Sequence, residues 1–261
     1  MATYDTIGVG YGARRRPDPR IARRIDAALG GAELVLNVGA GAGSYEPVHR
    51  SVVAVEPAIT MLDQRPPGAG PTMRAVAGQL PIADDAVDAT LAVLTVHHWL
   101  DLARGLAEMC RVSLDRQVIV TWNQRVADDR FWFIRDYAPE LISSERAKCP
   151  SVDVMRRVLG RVTVEPLPIP ADCTDGFFAA YWRRPETYLD PEARAAISVF
   201  ALAEPWRYED GLARLEADVV AGRWHERYAR LLDLDELDLG YRLVIGHAGE
   251  KRLTRPRPRS G

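Results

Sequence analysis

Three glycines on a two-residue spacing, Gly39, Gly41 and Gly43, follow the short apolar run Glu33 to Val38 (ELVLNV). A carboxylate, Glu56, ends a second apolar run nineteen residues beyond Asn37. Glycines at the carboxyl end of a strand let the main chain turn sharply and come close to a ligand. A carboxylate at the tip of the next strand accepts two hydrogen bonds from the vicinal hydroxyls of a ribose, and it repels a 2′-phosphate, which excludes NADP. A dinucleotide fingerprint needs GxGxxG. Counted from Gly39 the sixth position is Ser44, and counted from Gly41 it is Glu46, so neither frame fits. Gly8-Val-Gly10-Tyr-Gly12-Ala13 fits a loose GxGxxA, but no strand-like run precedes it. An NAD-binding reading is weakened and stays open at this point.

The elements that must position these residues alternate. Arg20 to Leu29 places Ile21, Ile25 and Leu29 on one helical stripe, and Gly30-Gly31 ends it. Glu33 to Val38, Val52 to Val55, Asp88 to Val96 and Gln117 to Trp122 are β-rich, and DLARGLAEMCRV carries Leu102, Leu106, Met109 and Val112 at helical spacing. Apolar strands alternating with helices predict a parallel sheet covered on both faces, an α/β doubly wound fold. Beyond residue 123 helices are expected over Phe131 to Ile142 and Asp153 to Leu159, then a proline-interrupted strand over Arg161 to Ile169. A mostly helical stretch follows from Ala171 to about Leu234, and Leu239 to Gly246 (LGYRLVIG) reads as a final strand.

Composition bounds the function classes. The 261 residues make one to two domains, and 34 basic against 36 acidic residues leave a formal charge of −2, with no basic excess pointing to nucleic acid or an anionic membrane. Cys110, Cys149 and Cys173 form neither a metal pattern nor a disulfide framework, which suits a reducing compartment. The N-terminal stretch has no apolar core of a signal peptide, and the longest apolar stretch, Ala89 to Val96, is far short of the roughly 20 residues that span a bilayer. The expected location is the cytoplasm.

In chain order, LVLNVGAGAGSYEP, SVVAVEPAITML, AGQLPIADDAVDATLAVLTVHHWLD and RQVIVTWN resemble the successive motifs of class I S-adenosylmethionine-dependent methyltransferases. The branch is the small-molecule one, similar to ubiquinone and menaquinone biosynthesis methyltransferases (a type 11 methyltransferase domain), and the likeness covers about residues 4 to 123. It implies a Rossmann-like seven-stranded sheet with an antiparallel last strand, S-adenosylmethionine as cofactor, and a small-molecule acceptor methylated by direct in-line displacement. It further implies that Gly39, Ala40 and Gly41 pass under the methionine part, that Glu56 holds the ribose hydroxyls, and that Pro57 and Ala58 lie beside the adenine. Ala77 and Gly78 would border the adenine edge, and Leu94 and Thr95 would offer main chain. Many relatives carry an acid where Asn37 stands, and often one where Val76 stands. Asn37 keeps its hydrogen bonding but loses the charge-assisted form, which is roughly twice as strong.

The resemblance gives further candidates a place. The methionine carboxylate needs a cation or amide partner, for which the arm offers Tyr11 and Arg14 to Arg16. Arg15 comes first and Arg20 second, with a solvated basic run as the alternative. His97 and His98 follow the fourth strand, where a histidine serves either as general base on a hydroxyl or amine nucleophile or as a packing residue. No metal is expected, because His49, His225 and His247 show no ligand spacing with this pair. Residues 172–188 concentrate Phe177, Phe178, Tyr181 and Trp182 beside Asp172 and Asp175, either acid being suited to orient a substrate hydroxyl or take its proton. The expected division is an arm (1–19) closing the site, a cofactor-binding domain (20–170 and 237–250), a helical cap (171–236) inserted between the last two strands for substrate choice, and a disordered tail (251–261). The tryptophans Trp182, Trp206 and Trp224 are expected in the cap's walls. An NAD-dependent oxidoreductase and a non-catalytic S-adenosylmethionine-binding protein are the rival readings.

Overall fold

The computed structural model describes residues 15–142 and 151–247. Tyr11, Cys149, most of the arm and the tail lie outside these residues. Among them one sheet organises the chain, in the spatial order β3-β2-β1-β4-β5-β9-β6. The strands are β1 (Leu34–Val38), β2 (Ser51–Val55), β3 (Thr72–Met73), β4 (Val87–Val93), β5 (Ser113–Trp122), β6 (Val162–Pro166) and β9 (Tyr241–His247). β1 pairs in parallel with β2 and β4, β2 with β3, and β4 with β5, whereas β9 runs antiparallel to both β5 and β6. The doubly wound sheet with an antiparallel last strand is therefore as expected. The strand that sequence patterning did not show is β3, two residues at the sheet edge and too short to carry a period.

Both faces of the sheet are covered, and consecutive residues of the central strands supply opposite cores. Val35 and Val118 join Ile21 and Ile25 of α1 (Pro19–Ala28), and Leu29 that caps it, on one face. Leu36 and Ile119 join Leu106 and Met109 of α2 (Leu102–Val112) and Met155 of α3 (Val152–Leu159) on the other. Pro166 is tolerated because β6 is an edge strand, which has no partner to donate to on its outer side.

Two boundaries differ from expectation. β4 ends at Val93, not Val96, because Leu94 takes a positive φ of 51° and turns the chain into a single 3₁₀ turn at Val96–His98. The helix after β5 starts earlier, at Gln124–Arg130, where the Asn123 side chain caps the Val126 N–H (3.3 Å). Phe131 is extended, and a π-helical turn covers Phe133–Tyr137 before Pro139 stops the helix. Eight of the residues 131–142 are buried, and the others are Arg135, Asp136, Pro139 and Glu140.

Short helical segments fill the chain between β7 (Ile169–Pro170) and β8 (Glu236–Leu237), which pair with each other. They share one core with the residues after β5: Trp132 packs on Trp224 (centroids 5.1 Å apart), and Phe133 on Phe200 (5.7 Å). The antiparallel direction of β9 then matters for chemistry. Its first residue, Tyr241, lies opposite Trp122, the last of β5, so both stand at the carboxyl ends of the parallel strands.

Candidate functional site

The glycine loop hooks onto the tip of β2. The Gly39 and Ala40 N–H groups donate to the Val55 carbonyl, at 2.8 and 3.1 Å. Gly39 (φ 72°) and Gly41 (φ 53°) are left-handed, and a Cβ at Gly39 would run into Thr95 Oγ1, while one at Gly41 would lie 3.1 Å from Met61 Cε. Only glycine makes this turn without strain. Glu56 follows Val55 and is 6% exposed; its Oε2 accepts the Gly41 N–H and its Oε1 the Ala58 N–H, both at 2.9 Å. The carboxylate is therefore fixed against the loop that precedes it by fifteen residues. Pro57 offers its carbonyl to Arg74 (3.1 Å), Ala77 is buried, and Val76 is exposed.

Asn37 has a physical reason to be uncharged. It is 2% exposed, and its Nδ2 donates to Glu46 Oε1 at 2.9 Å. Glu46 in turn takes both guanidinium arms of Arg65, at 2.8 Å each, in a nearly buried ion pair. An acid at position 37 would face a second carboxylate; the amide supplies a donor instead.

Leu94 anchors the next part of the site, donating its N–H to Val120 O at 2.9 Å through its positive-φ turn. Leu94 and His97 line a cavity shared with Trp122, Gln124 and Tyr241 from the sheet end and with Phe177 and Phe178 from the helical side. His97 is held edge-on to Trp122 (4.4 Å) and against His98 (3.8 Å). Of the two candidate histidines, His97 faces the cavity; His98 is half-buried outside its lining.

Arg15 also lines this cavity, but it is engaged by Asp175: Nε lies 2.7 Å from Oδ1 and Nη2 3.3 Å from Oδ2, with side chains 7% and 0% exposed. Asp175 further accepts the Tyr45 hydroxyl (2.8 Å) and the Gly176 N–H (2.7 Å). Tyr45 is a non-glycine residue at positive φ (64°), two residues past Gly43. Burial, reinforced by the Asp175 carboxylate, pushes its phenol well above the ordinary range, so it stays a hydroxyl donor. Asp172 is placed otherwise than expected. Its side chain is 75% exposed, pairs with Arg20 at 2.6 Å, and is absent from the cavity lining. Arg20 is spent on Asp172 and Asp18. Trp182 is fully buried core, its Nε1 donating to Ile169 O (3.0 Å), Trp224 is core as well, and Trp206 is exposed. Burial also pushes the Cys173 thiol up to about 12, leaving no thiolate nucleophile there.

A protein of Anabaena variabilis described as a methyltransferase from an antibiotic biosynthesis pathway has a crystal structure that matches this chain with a TM-score of 0.81 and 34% identity, over 89% of this chain and 98% of that one. The chain belongs to the class I S-adenosylmethionine-dependent methyltransferases. A family model described as methyltransferase domain matches residues 36–120 of this methyltransferase. An uncharacterized methyltransferase of Mycobacterium tuberculosis is 34% identical over 140 residues, which span 50% of this chain and 56% of that protein. A Thermotoga maritima methyltransferase structure, 14% identical with a TM-score of 0.51 over 88% of both chains, shares the fold alone.

The residues of this methyltransferase fit the cofactor of its family. Thr95 closes the loop to a Cβ at Gly39 and Met61 leaves little room for one at Gly41, so the turn stays main chain only, and a buried carboxylate, the group that takes ribose hydroxyls, stands at its side. Several partners were not visible beforehand: Tyr45, Glu46, Arg65, Trp122, Gln124 and Tyr241. Tyr45 and Glu46 directly continue the glycine motif, which was their one signal. Arg65 is brought to Glu46 by the segment after β2, and Tyr241 meets Trp122 and Gln124 only through the sheet order.

Proposed function

We propose that this chain transfers a methyl group from S-adenosylmethionine to a small-molecule acceptor held in the cavity at the strand tips. One observation carries the reading. Where the chain leaves β4 for the Val96–His98 turn, Thr95 packs against Gly39 of the glycine loop while Leu94 and His97 wall the cavity. Cofactor loop and acceptor cavity therefore share a wall. The Anabaena relative's description, an antibiotic pathway, supports a small molecule as acceptor.

The cofactor, when bound, supplies a methyl carbon on a sulfonium centre, whose carbon–sulfur bond breaks with its electron pair going to sulfur as the acceptor atom bonds to that carbon. Glu56 holds the ribose hydroxyls, and Gly39, Ala40 and Gly41 bring main chain close to the methionine part, with Asn37 beneath them. Pro57, Ala77 and Gly78 border the adenine. His97 takes the proton that leaves an acceptor hydroxyl, its ring held by Trp122 and His98. Arg15, Asp175 and Tyr45 tie the chain before α1 to both the turn after the glycine loop and the cavity wall, which excludes water on that side. Proximity and orientation do most of the work. The segment 171–236 supplies Phe177, Phe178 and Ile197 to the acceptor side and sets substrate choice.

The test is incubation of cell extract with enzyme and a heavy-methyl donor, read by mass spectrometry. The proposal expects label in one or a few low-mass compounds. Cofactor binding with no label in any compound would make the chain a non-catalytic binder.

A further inference from the structure

We infer that the acceptor is a hydroxy compound with an apolar, ring-sized body, neutral or anionic, and not an ammonium compound. This rests on the proposed methyl transfer and names its substrate class. Phe131, Ile134, Phe177, Phe178, Ile197 and Leu239 give the cavity walls from several elements, so an acceptor that fills it must leave water with an apolar surface. Its polar groups are few: among the described residues they are Arg15, His97, Trp122, Gln124, Ser198, Tyr241 and main chain, the Trp122 indole N–H donating to Gln124 (3.0 Å).

No carboxylate is among the described lining residues. Of the nearby acids, Asp175 is 1% exposed and faces Arg15, Tyr45 and the Gly176 N–H, and Asp128, outside the lining, accepts the Gln124 Nε2 at 2.6 Å. An ammonium entering here would lose its hydration with no counter-charge among the described lining residues, beside the guanidinium of Arg15. Aromatic rings bind cations through their faces. Here Phe131 and Phe178 meet edge-to-face (5.1 Å, 68°), and Phe178 meets Phe200 the same way (5.7 Å, 86°), so these rings pack on one another as well as on the cavity. Burial raises the Tyr241 phenol far above neutrality, so it is a hydroxyl and offers no negative charge. What remains is an apolar slot whose polar end, at His97, handles an oxygen and its proton.

The experiment uses the full chain saturated with S-adenosylhomocysteine and three probes of one size: 2-naphthol, 2-naphthoate and (2-naphthylmethyl)ammonium. Affinity is read by calorimetry, not by activity. Naphthol is expected to bind about tenfold or more tightly than the ammonium probe, a difference of about 1.4 kcal/mol. Phe178→Ala weakens naphthol about tenfold with S-adenosylhomocysteine affinity unchanged. Ser198→Asp, which places a carboxylate in the wall at the start of a helix, reverses the preference toward the ammonium probe. Equal or tighter ammonium binding by the wild type overturns the inference, as does absence of naphthol and naphthoate binding in protein that binds S-adenosylhomocysteine. Failure to bind S-adenosylhomocysteine overturns instead the methyl-transfer reading, and the probes titrated alone still report on the cavity.

Discussion

Asp175→Asn removes one charge from a buried pair, and the structure sets what that costs. The Asp175 side chain is wholly buried and Arg15 is 7% exposed, with contacts of 2.7 and 3.3 Å between them. Breaking such a pair from one side costs about 3–5 kcal/mol, because it leaves the other charge in the interior without its counter-ion. Asparagine keeps the Oδ1 acceptor that serves Arg15 Nε and the Gly176 N–H, so the lower end, about 3 kcal/mol, is expected. Its amide nitrogen replaces the Oδ2 that accepts the Tyr45 hydroxyl, and that hydroxyl must turn to accept instead. Arg15→Met alone costs about as much, since the carboxylate is then left with only neutral donors. In the double variant both charges are gone while the Tyr45 and Gly176 bonds survive. It should be about 2–3 kcal/mol more stable than the sum of the singles predicts. Equilibrium urea unfolding of the four proteins measures this. Additivity within about 0.5 kcal/mol, or a single-variant loss below about 1 kcal/mol, refutes the idea that this pair closes the site.

Gly39→Ala should abolish S-adenosylhomocysteine binding and cost about 2–3 kcal/mol on unfolding, from a left-handed alanine and a Cβ pressed on Thr95; unchanged calorimetric affinity would count against the loop. Asn37→Asp should destabilise by about 2 kcal/mol at pH 7, since it faces Glu46, and the deficit should shrink toward pH 4 as one of the two carboxylates takes up a proton. Asp18 loses solvation on burial, but hydrogen bonds from the Arg20 side chain and from the Arg20 and Thr174 N–H groups outweigh this and hold its carboxyl at about 2. A depressed carboxyl contributes stability above its unfolded value of about 3.9 and loses it as pH falls through 2, so about 2 kcal/mol separating wild type from Asp18→Asn should fade between about pH 4 and pH 2 in urea titrations.

The fold was legible where apolar periodicity is strong. β1, β2, β4 and β5 bury both faces, so they read as runs of valine, leucine and isoleucine, and the glycine loop with Glu56 announced itself by spacing. The cavity was less legible because its walls come from residues far apart in sequence: Trp122 and Tyr241 meet only because β9 pairs antiparallel with β5. Asp172 and Asp175 are indistinguishable by type, and three residues of chain decide that one is solvated and the other sealed under Arg15. Asn37 read as a loss; with Glu46 and Arg65 in view it is a complement to a carboxylate already present. The helix expected at 131–142 is found only as a π-helical turn at Phe133–Tyr137, because Phe131 is extended and Pro139 ends the turn.

Titration calorimetry of S-adenosylhomocysteine into wild type and Glu56→Gln tests the account most directly. Glu56 is set beside the loop by the Gly41 and Ala58 N–H groups, and hydrogen bonds to its charge are worth about 1.5–3 kcal/mol. Binding by the wild type, weakened about 10- to 150-fold in the variant, with no binding of NAD by either, is the predicted result. Equal affinity in the two proteins, or NAD bound in place of S-adenosylhomocysteine, would contradict it.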